Sequence, residues 1–144
     1  MNKYLVENKD AKYIRRSLVL GSHEWTEETD EKGQIWFNTD IDKEHFERIV
    51  KGSKEDRKNE ETSFLSVKFE RNPKKPGVVH CLQTTMDYGS VRRISEETMY
   101  KYIRLMEQER NRKYTDEEIE EEWIIVVPKA KPEDISFKVP SQQD

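Results

Sequence analysis

Tyr88-Gly89-Ser90-Val91-Arg92-Arg93 is the stretch of this chain best equipped to hold a ligand. An aromatic ring, a flexible glycine, a hydroxyl and two guanidinium groups fall together, just before a segment that reads as a helix N-terminus. Arginine forks pair with phosphate or carboxylate, and a helix N-terminus favours anions. Tyr88, Ser90, Arg92 and Arg93 are therefore candidate contacts for an anionic ligand or an acidic partner. They sit on what reads as a connecting loop, Asp87 to Arg93. The plain alternative is a connector whose arginines pair with neighbouring acids. No glycine-rich phosphate-loop pattern supports the anion reading.

The second dense run is acidic: Asp116, Glu117, Glu118, Glu120, Glu121 and Glu122. Paired carboxylates can do acid–base work or bind cations. These stand at the start of a short helix, where acids are favoured by the dipole in any case. A solvated face is the default. The sharper reading is a docking face for a basic partner, made by Asp116, Glu117, Glu120 and Glu121.

The remaining chemistry-bearing residues are scattered. His23, His45 and His80 fall in different expected elements, and no two are four apart as in a helical metal site. His80 and Cys81 are neighbours on an expected strand, so they face opposite sides and form no dyad. A lone cysteine excludes an internal disulfide and a cysteine zinc cluster, and a buried structural role suits it. The sequence implies no metal site and no cofactor.

His45-Phe46-Glu47-Arg48-Ile49-Val50-Lys51-Gly52-Ser53-Lys54, with Arg57 beyond, resembles the helix–Gly-x-Lys signature of ASCH domains. The resemblance covers about a dozen residues. It implies a small PUA-like β-barrel that binds RNA or nucleotides, in some cases as a hydrolase. It would make Lys54 the functional lysine, with Arg57 near it. A helix ending in Gly and followed by Lys is also ordinary capping.

The elements that must position these groups follow from capping and periodicity. Tyr4-Leu5-Val6 begins a first strand, and Tyr13–Leu20 reads as a second, with Arg15 and Arg16 marking an edge or bend. Trp25 to Phe37 reads as a hairpin turning at Gly33. Asp42 caps a helix whose inner stripe is Phe46, Ile49 and Val50; Gly52 is placed to end it, leaving 51–61 as a solvated loop or frayed end. Leu65, Val67 and Phe69 alternate with polar residues, and Pro76-Gly77 turns the chain into a return strand from Val78. On that strand Val78, His80, Leu82 and Met86 share one face and Cys81 takes the other. Ser95 caps a helix with Ile94 and Met99 as its hydrophobic staple; Met99, Tyr102, Ile103 and Met106 form its stripe. Thr115 with Glu118 is a capping box. Trp123–Val127 is the most apolar run and is expected centrally in a sheet. Ile135, Phe137 and Val139 alternate as a last edge strand.

At 144 residues, with 33% apolar and 39% charged side chains, the chain reads as one α+β domain with a thin core over 1–139 and a flexible tail at 140–144. The expected architecture is one antiparallel or mixed sheet of five to seven strands with two or three helices on it. Charges of both signs are interleaved at a net of −4, against a basic face for duplex DNA. The absence of a signal-like or long apolar run points to a cytoplasmic protein with no membrane partner. A thin core leaves room for a homodimer or partner interface. The leading functional expectation is a non-enzymatic interaction protein, such as a small regulator or inhibitor of phage or bacterial type. The alternative is an ASCH-type nucleotide or RNA binder in which Lys54, Arg57, Arg92 and Arg93 converge.

Overall fold

A computed structural model describes residues 1–62, 65–71, 74–85, 89–120 and 123–124, with backbone alone at 120, 123 and 124. Tyr88, Glu121, Glu122, the expected strand at 135–139 and the tail at 140–144 lie outside the described residues. The fold is α+β. Among the described residues the strands form two sheets, one of three strands and one of four, where the sequence leads one to expect a single sheet. The chain divides into two units, Met1–Arg57 and Lys58–Asp144.

In the first unit, β1 (Asn2–Val6), β2 (Thr26–Thr29) and β3 (Ile35–Thr39) make an antiparallel sheet with β3 in the middle. Asp30 builds the β2–β3 turn. Its Oδ1 accepts from the amides of Lys32 and Gln34, each at 2.9 Å, and its Oδ2 accepts from Trp36 Nε1. Gly33 sits at φ 79°, as the hairpin requires. The inner face carries Val6 and Phe37, both buried, and Tyr4 stacks on Phe46 at 4.2 Å between centroids. On the outer face Lys3 lies over the Trp36 ring, while Leu5 is half exposed.

Two helices cover the inner face, and both correct the sequence-based reading. The segment Tyr13–Leu20, expected as a strand, belongs to helix α1 (Ala11–Leu20). Extended back to Ala11, the run has Ala11, Ile14 and Leu18 at helical spacing, all buried. Arg16, which looked like an edge-strand residue, lays its guanidinium over Tyr13 one turn earlier. Helix α2 (Lys43–Thr62) starts where expected, with Asp42 accepting from the His45 amide at 2.8 Å. It does not end at Gly52. It runs on through the charged segment 51–61 that reads as loop or frayed end.

In the second unit, β4 (Leu65–Arg71), β5 (Val78–Thr85), β6 (Gly89–Ser95) and β7 (Trp123–Ile124) pair antiparallel in the order β6-β5-β4-β7. Leu65, Val67, Phe69, Val79, Cys81 and Ile94 are buried. The Cys81 side of β5 is thus the core side, and Val78, His80 and Leu82 take the half-buried one. Helix α3 (Glu96–Arg110) brings Met99, Tyr102, Ile103 and Met106 as a buried stripe, with Tyr102 edge-on to Phe69. Ser95 caps it by accepting from the Thr98 amide. Helix α4 (Asp116–Glu120) opens with the reciprocal box: Thr115 Oγ1 accepts from the Glu118 amide, and Glu118 accepts from the Thr115 amide. One expectation fails here: the connector Asp87–Arg93 is largely strand β6. Of the run Trp123–Val127, only Trp123 and Ile124 are described, and they pair with β4.

Gly52 distinguishes the two readings of α2. It has open space where a Cβ would stand. In a helix interior, Gly52→Ala should stabilise by about 1 kcal/mol, seen as a raised midpoint in thermal or urea unfolding. A Gly52 at a left-handed cap would give the opposite sign.

Candidate functional site

Lys54 and Arg57, singled out from the sequence, are brought together by α2. Three residues apart on a helix, they share a face. That face meets Asp10, at the end of a short 3-10 turn (Asn8–Asp10) just before α1. Lys54 Nζ lies 2.6 Å from Asp10 Oδ2, and Arg57 Nε lies 2.7 Å from Asp10 Oδ1. The Asp10 side chain is 1% exposed, against 40% for Lys54 and 22% for Arg57. Lys54 also reaches Glu7 at 3.3 Å. A carboxylate this far from water must be paired, and each of its oxygens has a cation. Burial pushes the Asp10 carboxyl up, but the hydrogen bonds from Lys54 and Arg57 outweigh it and hold it below the usual range. The same contacts raise Lys54. The two cations that an ASCH-type reading would aim at a ligand are thus engaged by the chain itself.

Ser90, Arg92 and Arg93 stand on β6, all exposed. They are not a loop cluster. Adjacent strand residues alternate sides, so Arg92 and Arg93 point to opposite faces. Arg92 is opposite Cys81 in the β5 register, and Arg93 opposite His80. Val91, just before them, is 66% exposed. They belong to the second unit, and Lys54 and Arg57 to the first.

Of the acidic run, Asp116 and Glu117 are exposed on the first turn of α4, and Glu120 closes that helix. Glu118 is spent on the capping box and on Arg112. Glu118 thus serves the helix itself.

Sequence reasoning missed two groupings. His23 and His45 stack edge to face, with ring centroids 5.2 Å apart, because the end of α1 and the first turn of α2 approach each other. Nothing local in the sequence links residues this far apart. Glu107, on the buried side of α3, is the other. Its side chain is 3% exposed; Oε2 accepts from the Tyr114 amide at 2.8 Å and Oε1 from Arg104 at 3.0 Å. The signal was available, since Glu107 lies one helical step beyond Ile103. Among the described residues no three metal-ligating side chains gather, and no helix is long and apolar enough to cross a membrane.

Cys81 is buried and its thiol is pushed up to about 12 by burial, against a smaller opposing effect of Arg92. Thiolate is the reactive form, so this is a structural cysteine.

Comparison with protein-family models, with curated proteins and with solved structures gave no match. The likeness of 45–57 to ASCH domains rests on those residues alone.

Two expectations follow. Asp10→Ala removes the charge-assisted hydrogen bonds from Lys54 and Arg57 and should cost roughly 2 kcal/mol in urea unfolding. Because the Asp10 carboxyl is lowered on folding, its contribution is present above the ordinary carboxylate pKa of about 4 and lost as pH falls through the lower folded value. Asp10→Asn should flatten that acid limb. Separately, Cys81 should resist a thiol reagent in the native protein and react fully once urea unfolds it.

Proposed function

We propose that this protein is a non-catalytic interaction protein, of the regulator or inhibitor kind, and that β6 is its contact strand. The observation that carries this is the run Gly89–Arg93. Five successive residues are exposed, two are guanidinium and none is acidic, on a strand that ends the sheet order among the described residues. An outer strand offers backbone donors and acceptors along one side, and an extended segment can add to it. Arg92 and Arg93, on opposite faces, select an acidic segment on both faces of the new pair. Val91 supplies an apolar contact.

Charges on an outer strand also serve to prevent self-association. The two roles are compatible. A second copy paired antiparallel through β6 would bring arginines near arginines, so a homodimer would have to form elsewhere. The partner that fits is a different chain with an acidic strand.

The test compares partner capture by the wild-type protein with capture by Val91→Pro, which blocks strand addition, and by Arg92→Glu/Arg93→Glu, which reverses the charge. The expected outcome is a stoichiometric protein partner lost with both variants and weakened by salt. Equal capture by all three overturns the proposal, as does retention of RNA in place of protein.

A further inference from the structure

The turn between α3 and α4 encloses a concavity of about 350 Å³ lined by Arg104, Glu107, Gln108, Asn111, Arg112 and Lys113. Three of these six side chains are cations, two are amides, and the sixth is the Glu107 carboxylate, already held by the Tyr114 amide and Arg104. We propose that this concavity binds a small polyanion, with phosphate groups seated between Arg104, Arg112 and Lys113. This site is separate from β6 and does not depend on the role given to that strand.

The turn is built before any ligand arrives. Asn111 takes the left-handed conformation at φ 51° and closes α3, and the Arg112 amide donates to the Glu107 carbonyl at 3.1 Å. The buried Glu107 carboxylate pulls the next segment back by accepting from the Tyr114 amide. Arg112 lies over the Tyr114 ring at 4.7 Å, and Arg110 donates to the Tyr114 hydroxyl at 3.3 Å. These contacts fix the positions from which the cations reach out. A preorganised site loses less ordering entropy on binding.

The cations keep capacity for a ligand. Arg104 meets Glu107 through Nη1, and Arg112 meets Glu118 through Nη2, so each planar fork has further N–H groups. Lys113 is 90% exposed and 3.9 Å from Glu107, too long for a direct hydrogen bond. The negative end of α3 opposes an anion here. The Asn111 and Arg112 amides already occupy the Gln108 and Glu107 carbonyls, and charge-assisted hydrogen bonds exceed a dipole effect of this kind. Guanidinium pairs select phosphate over a monoanion such as chloride, because two oxygens can be held at once.

The experiment is a titration of the full chain with pyrophosphate at low salt, followed by amide NMR and calorimetry. The expected result is saturable binding with shifts concentrated at 104–114. Arg112→Gln/Lys113→Gln should weaken it by roughly tenfold or more, a loss of about 1.4 kcal/mol. Lys74→Gln/Lys75→Gln, which removes the same charge from an exposed turn, should leave it unchanged. Unchanged thermal unfolding of the first double variant separates lost binding from lost fold. No saturable shift up to about 5 mM, a Kd range already below useful affinity, overturns the proposal. So does an equal loss in both double variants.

Discussion

A carboxylate withdrawn from water governs the first half of this protein. Asp10 is buried where α1 begins, and an unpaired charge there would be costly enough to unfold a thin-cored domain. Its two partners are on α2, more than forty residues later. They reach it only if α2 continues unbroken beyond Gly52. The ion pair therefore requires the helix to run at least to Arg57, through a mid-helix glycine that costs helix propensity. Ser53, fully buried beside Ser17, shows the same logic in packing: small side chains let α1 and α2 approach closely at the level where Asp10 needs Lys54 and Arg57.

What could be read from the sequence was what is encoded within a turn or two. Asp42, Ser95 and Thr115 each begin a helix with the side-chain contact their types imply. Gly33 and Gly77 both take positive φ in the turns expected of them. The alternation of Leu65, Val67 and Phe69 gives the buried face of β4 directly. The errors share a cause. Helix α1 was obscured because Tyr13, Val19 and Leu20 fill in around the stripe of Ala11, Ile14 and Leu18 and blur its period. Strand β6 was obscured because Gly89 to Arg93 has no inward side chain to reveal it; its strand character comes from pairing with β5. Lys54 and Arg57 share a face of α2, and their partner Asp10 is invisible in the sequence at that separation.

The same local-versus-distant division applies to charge. With acids and bases interleaved throughout, most surface charges settle one another close to home. Arg15 forks onto Glu27 through two 2.8 Å bonds, and Lys101 and Arg48 pair one turn away on their helices. Such exposed pairs contribute about 0–1 kcal/mol each. Their larger consequence is that they leave little unbalanced surface. Among the stretches where basic groups outnumber acids are β6 and the turn after α3.

Both of those places are basic on a chain whose net charge is −4. That contrast restricts what each can hold. At physiological ionic strength charges are screened over about 8 Å, so a small anion or a single acidic strand at either site responds mainly to the groups beside it. A long polyanion has no such shelter. Duplex nucleic acid would extend past the few cations at either place and over acidic surface, and its affinity rises with the number of phosphates neutralised. The interleaving that stabilises this fold thus also argues for ligands that are short, acidic and locally matched.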